Sequence, residues 1–470
     1  MVDWTIVSLT EVADAIRNGD VSSTEVTQQC LAKIEKWQSQ LNCFISFEPD
    51  EAMEQASAAD HRRSKGEALG PLHGVPLAHK DMFYRAGKVS TCGSRIRRDY
   101  VPTVTATVIR RLQDAGALHL GGLNMSEFAF SPTGHNAHFG PARNPWNAEY
   151  ISGGSSSGSG AAVGARLLYG ALGSDTGGSV RLPAAACGVT GLKPTQGRVS
   201  RHGVMGLSFS LDNVGPLART ARDCARLLTI IAGYDAEDPT SARQPVVDYE
   251  AALAAPDLRG LRIGRPVNHY YSRADDDVTA KMDASLEVFT NLGATIVDVE
   301  VPHHDVLAGL STAVSGSEAA TLHGPWLRER PHDYGPQVKA RIEPGLVIPA
   351  THYLRSLQLR AKIVTEFVES VFAHCDVLHA PTINRQLPTI VEADLGDAPG
   401  FEKMLASVSH CTRPFNYLTL PSVAVPAGFV AGLPVSFQLI GRPFDEPQLL
   451  TAAAAYQDVT DWLSRAPTLT

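Results

Sequence analysis

"SGGSSSGSG", residues 152–160, and "SDTGGSVR", residues 174–181, decide how this chain is read. The first has the composition of a flexible tether, because Gly and Ser without large side chains make loose coil. A tether needs polar, mobile flanks. Here the loop runs straight into "AAVGARLLYGALGSD" (161–175), small and apolar throughout, which predicts a closely packed helix deep inside a domain. A buried helix does not begin at a tether, so the Gly/Ser loop belongs to the interior.

Working outward, "GPLHGVPLAHKDMF" (70–83) leads from turn residues into a short apolar run and predicts a strand ending near Lys80. "TATVIRRLQDAGALHLGGLNMSEF" (105–128) reads as a helix, a turn at Gly116 and a strand from Ala117. The same alternation recurs in "DVTAKMDASLEVFTNLGATIVDVEVP" (277–302), where Gly293 ends the helix. "CDVLHAPT" (375–382) and "LPSVAVPAGF" (420–429) add two buried-strand patterns. Near the N-terminus, Ser8 to Glu11 and Ser22 to Glu25 are capping boxes that open a helix pair. The expected fold class is α/β, with layered helices and many neighbouring strands, in a length that allows one large or two ordinary domains. The stretch from about 236 to 350 is richer in Pro and charge and, outside the 277–302 unit, harder to place.

The totals exclude several functions. The 470 residues carry 44% hydrophobic and 19% charged side chains, the balance of a globular chain. A net charge of −8 leaves no electrostatic footprint for direct nucleic-acid binding, and "HRRSK" (61–65) reads as a solvated loop or helix end. The N-terminal stretch lacks a basic-then-apolar signal pattern, and no segment is long and apolar enough to span a membrane. Seven scattered cysteines with no C-x-x-C pair argue against a disulfide framework or a structural zinc site. The expectation is a cytoplasmic protein.

Three catalytic templates compete for the Gly/Ser stretch. Gly154 to Gly158 satisfies G-x-S-x-G with Ser156 as nucleophile, but that elbow should follow a strand, and "ARNPWNAEYISG" (142–153) has no strand pattern. No His among the 16 is marked out as its partner. A dinucleotide fingerprint would need glycine where Val163 stands, and a Walker loop lacks Gly-Lys-Ser/Thr.

Taken whole, "GGSSSGSGAAVGARLLYGALGSDTGGSVRLPAAACGVTGLKPT" (153–195) resembles the signature of the amidase signature family of Ser-Ser-Lys hydrolases. "GPLHGVPLAHKDMF" upstream, "FGPARNPWN" (139–147) and "LPSVAVPAGFVAGLPVSFQLIGRPFDE" (420–446) support the likeness, which covers about 70–230 and 376–446. The resemblance implies one large α/β domain over 1–470, with a central mixed β-sheet and many flanking helices, and hydrolysis of a carboxylic amide through a seryl acyl-enzyme, with no cofactor and no metal. It implies Ser179 as nucleophile, Ser155 as proton carrier behind a cis Gly–Ser peptide, and Lys80 as base. A second function within the family is the glutaminase component of a tRNA-dependent amidotransferase, its A subunit, and a carbamate or urea-like substrate is a third.

The residue types suit that chemistry. An amide carbonyl is a poor electrophile, so attack needs an activated oxygen and a waiting charge acceptor. Glycines at 177 and 178 permit a tight turn in which the N–H groups of Thr176, Gly177, Gly178 and Ser179 can face one spot as an oxyanion hole. Lys80 must be neutral to act as a base, which burial at a strand end favours and a nearby charged Asp81 would oppose. Asp81 is therefore expected to be engaged elsewhere. The resemblance places "EFAFSPTGHNAHFG" (127–140) where the family lines its acyl pocket, which implies Phe130 and Ser131 as candidates for substrate contact, while His135 and His138 lack a third metal ligand. Arg181 is expected to pair with a carboxylate, and "TRPFNYLTLPS" (412–422) resembles a family stretch near the active-site rim to which no contact is assigned. The expected partner is a small-molecule amide, and a homodimer follows only in that exposed helices of such folds often pair.

Overall fold

The computed structural model describes residues 2–254 and 256–469. The helix Leu9–Asn18 opens on a complete capping box: the Glu11 N–H donates to Ser8 Oγ, and the Ser8 N–H donates to the Glu11 carboxylate. At the helix Ser23–Leu41 the box is half made, with the Glu25 N–H donating to Ser22 Oγ. Asp60 accepts from the N–H groups of Ser23 and Thr24 in that first turn.

Eleven strands follow among the described residues. Strands β1 (Phe44–Phe47), β2 (Pro76–Lys80) and β3 (Leu118–Leu123) form a small sheet in the order β1-β3-β2. The remaining strands are β4 (Gly170–Asp175), β5 (Thr190–Lys193), β6 (Asn213–Ala218), β7 (Arg262–Pro266), β8 (Thr295–Val299), β9 (Val377–Pro381), β10 (Ser422–Val430) and β11 (Leu433–Ile440). They form an eight-stranded sheet in the order β4-β6-β5-β10-β11-β9-β7-β8. Pairing is antiparallel from β4 through β9 and parallel at β9-β7-β8, so the sheet is mixed. With helices packed around it, this is the single α/β domain expected.

The sheet is divided where one was anticipated, and the division places the site. β2 lies beside β4, and the Leu172 N–H of β4 donates to Nδ1 of His79 at 3.1 Å. One imidazole nitrogen thus stands in for a ladder bond between the sheets. Burial pushes His79 down to about 3, which keeps that ring neutral and its lone pair available.

Small residues let the Gly/Ser loop sit inside. The helix Ser157–Gly164 is buried along its whole length. A Cβ at Gly158 would stand 2.4 Å from the Cys43 carbonyl oxygen and 2.5 Å from the Asn124 nitrogen, so only glycine fits. The helix is shorter than the apolar run: Arg166 adopts φ 57° in the left-handed region, and the run resumes as β4. In the middle of the chain the expected helix and strand are the helix Asp276–Asn291 and β8, and β7, which sequence did not reveal, pairs parallel with β8. Beyond it, the helices His304–Glu329 and Pro336–Ile342 carry side chains back to the site. All seven cysteines are buried and unpaired. No helix among the described residues is long and apolar enough to cross a membrane.

Candidate active site

Lys80 ends β2 and is 1% exposed. Its Nζ donates to Ser155 Oγ at 2.6 Å and to Ser174 Oγ at 2.8 Å. Among the described residues, no carboxylate is in contact with the amine. Burial pulls the Lys80 pKa from 10.5 down to about 7, against the weaker opposing fields of Asp212 and Asp175. Asp81 turns away: its Oδ2 accepts from the Thr91 N–H at 2.9 Å and from the Thr91 hydroxyl. The peptide between Gly154 and Ser155 is cis.

The turn after β4 is built around Asp175, which is fully buried against Arg181 with Nε–Oδ2 at 3.0 Å. The Arg181 guanidinium holds that carboxyl well below the usual range, overcoming the burial that would raise it. Asp175 also accepts from the Gly178 N–H at 2.7 Å and from Asn416 Nδ2 at 2.8 Å. Thr412 Oγ1 donates to the Gly177 carbonyl at 2.7 Å, and Thr176 Oγ1 donates to Asp212. Gly178 has φ 130°, and a Cβ there would strike Thr412 Oγ1 at 2.2 Å.

This wiring corrects one expectation. The Gly178 N–H serves Asp175, so Gly178 shapes the turn and is not a free oxyanion donor. The N–H groups of Thr176, Gly177 and Ser179 have no hydrogen-bond partner among the described residues. Ser179 Oγ is likewise without a protein partner. The structure joins Lys80 to Ser155 directly, while Ser179 reaches their loop through its carbonyl, which accepts from the Ser156 N–H at 3.3 Å. There is no hydroxyl–hydroxyl hydrogen bond between Ser155 and Ser179.

Ser179, Thr176 and Gly177 line a pocket whose other walls include Phe130, Ser131, Arg341 and Arg413. Phe130 and Ser131 are thus at the pocket, although Ser131 Oγ already donates to Gln337 Oε1 at 2.9 Å. Ser156 sits at the N-cap position of the helix Ser157–Gly164 without a capping hydrogen bond from its side chain, and no strand directly precedes it, which removes the elbow geometry. His138 pairs with Glu127 at 2.9 Å and His135 faces Asp394 at 3.4 Å; neither belongs to a metal-binding group among the described residues.

Sequence reasoning missed Ser174, Asp212, Arg341 and Arg413. Ser174 lies inside the signature stretch, next to Asp175, but nothing local says that it meets Lys80. Asp212 lies in a segment with no predicted element, Arg341 in the stretch 236–350 that is hard to place, and Arg413 in the 412–422 segment to which no contact is assigned; only tertiary structure brings them to the site.

Known proteins share both the sequence and this architecture. The family model described as Amidase matches residues 25–450. The A subunit of a glutamyl-tRNA(Gln) amidotransferase from Moorella thermoacetica is 40% identical over 482 residues, covering 98% of each chain. Among solved structures, one from work on a vestigial protein complex and the origins of an s-triazine catabolic enzyme superposes with a TM-score of 0.90. It is 34% identical and covers 96% of this chain and 98% of that one. Native peptide amidase from Stenotrophomonas maltophilia gives a TM-score of 0.84 at 30% identity, covering 98% of both chains. With a matching family model over most of its length, and relatives aligned from end to end, the chain belongs to the amidase signature family.

Proposed function

We propose that this amidase cuts its carboxylic amide through an acyl-enzyme on Ser179, with Ser155 and Lys80 relaying the proton. The single observation that carries the reading is a buried amine, held near neutrality, in contact with a seryl hydroxyl rather than a carboxylate. Neutral Lys80 accepts a proton from Ser155 as Ser155 accepts one from Ser179, and Ser179 Oγ attacks the carbonyl carbon. The N–H groups of Thr176, Gly177 and Ser179 hold the oxyanion. Ser155 passes a proton to the nitrogen as it takes one back from Lys80 and the C–N bond breaks, and water then cleaves the ester along the same relay. The open Ser155–Ser179 link closes by rotation of the Ser179 side chain, since such contacts commonly tighten only with substrate bound.

A fluorophosphonate should label Ser179, and Ser179→Ala should abolish ammonia release while the chain stays folded. Labelling at Ser156, or full turnover in Ser179→Ala, would refute the assignment. The 40% identity across the whole length of an amidotransferase component favours a second reading, a glutaminase that passes ammonia to a partner protein. Glutamine turnover that appears only when a partner protein is added would establish it.

A further inference from the structure

Arg341 and Arg413 stand on the wall of the Ser179 pocket, and neither pairs with an acid. The Arg341 guanidinium lies 4.2 Å over the Phe130 ring and donates once, to the Phe130 carbonyl. Arg413 donates to Thr312 Oγ1 at 3.1 Å and to Ser409 Oγ at 3.0 Å. A guanidinium carries five N–H donors. Two other partly buried arginines of this chain use four hydrogen bonds each, Arg111 and Arg360, almost all on carbonyls. Arg181 and Arg226 are neutralised by carboxylates. Arg341 and Arg413 are left with charge and donors to spare.

Their surroundings sharpen the contrast. No Asp or Glu lines the Ser179 pocket among the described residues. The nearest acid is Glu402, an exposed side chain on the adjoining cleft, which forms no ion pair with either arginine. Burial disfavours both cations, Arg413 adds repulsion at Arg341, and the field of Glu402 opposes this only weakly at each. Two like charges kept together with no acid in contact, beside a candidate nucleophile, leave room for an anion from outside.

We propose that Arg341 and Arg413 form an anion subsite in the Ser179 pocket, and that the amide cut there bears a free carboxylate and no ammonium group. This rests on the Ser179 reading above. Bidentate guanidinium contacts would hold the carboxylate while the scissile carbonyl faces the N–H groups of Gly177 and Ser179. A zwitterion such as glutamine would bring an ammonium into a pocket that offers it two cations and no carboxylate.

Two matched pairs test the idea: succinamate against butyramide, and N-acetylglycine against N-methylacetamide. The carboxylated member of at least one pair should show a kcat/KM about 10- to 100-fold higher, and Arg413→Gln or Arg341→Gln should erase most of that ratio. Equal rates within both pairs, or glutamine cut as well as succinamate, would overturn it. A readout without turnover separates the two claims: calorimetric binding of succinate to Ser179→Ala, lost in Ser179→Ala/Arg413→Gln with an unchanged melting temperature. Succinate binding without fluorophosphonate labelling of Ser179 in the native chain would keep the subsite and remove the nucleophile. Labelling without succinate binding would do the reverse.

Discussion

At the scale of single residues, the proposed relay depends on where Lys80 keeps its proton. With a pKa of about 7, the base of that proposal is gained as pH rises through neutrality. The kcat/KM profile should therefore climb to a plateau above pH 7, and a profile flat from pH 5 to 9 would contradict it. Asp212 raises the Lys80 pKa and also accepts from Thr176 Oγ1. In Asp212→Asn the acid limb should move to lower pH, while the plateau falls by up to about 100-fold as the oxyanion turn loosens. A plateau loss with no shift of the limb would leave Asp212 a purely structural role. Stability follows with its own sign. Between about 7 and 10.5 the unfolded chain binds a proton on this lysine that the folded chain does not, so stability rises with pH across that window. Lys193, also pulled by burial to about 7, adds the same slope, so Lys80→Met should remove only part of it.

At the scale of elements, the helix Ser157–Gly164 inverts the usual rule for glycine. Helix propensity alone says Gly158→Ala stabilises by about 1 kcal/mol. The added Cβ would instead meet two backbone atoms, the Cys43 oxygen and the Asn124 nitrogen, and Asn124 also accepts from the Gly158 N–H at 2.8 Å. Neither can step aside without opening the β1–β3 edge, so Gly158→Ala should destabilise by about 1–3 kcal/mol in urea unfolding. A stabilised variant would show that the loop has room to move away from β1 and β3. The same crowding explains what could be read beforehand. β2, β9 and β10 are legible because strands covered on both faces are apolar at consecutive positions, and Lys80 stands out as the charge closing such a run. The end of the helix at Gly164 is not, because the small residues that suit a packed helix also suit β4. Nor does local sequence reveal that Gly178 spends its N–H on Asp175, since a glycine pair before a serine looks the same with its amide free or bound.

At the scale of the whole molecule, one buried charge pair ties together segments far apart in the chain. Arg181 donates to Asp175 at the end of β4, to Gln438 of β11 at 2.9 Å, and to Asn416 Oδ1 at 2.7 Å. Asp175 in turn fixes Gly178 and, through Asn416, the segment that carries Arg413. The pairing of Arg181 with a carboxylate is expected from sequence, but not that it spans the sheet, because partners more than two hundred residues away leave no mark on local pattern. A pair this enclosed contributes mainly by being complete: removing one member leaves the other charged in a dry interior, at about 3–5 kcal/mol. Asp175→Asn and Arg181→Met should each lower stability by about that much in urea unfolding. The double variant, which removes both charges, should lose less than the two single losses added, and the shortfall measures the coupling. Acid should act like the first substitution. The Asp175 carboxyl is held below its ordinary 3.8, so its contribution is present above that pH and disappears as pH falls beneath it. Strictly additive losses in the double variant would mean that the turn bearing Ser179 is held by its backbone bonds, and that the pair is a passenger in the core.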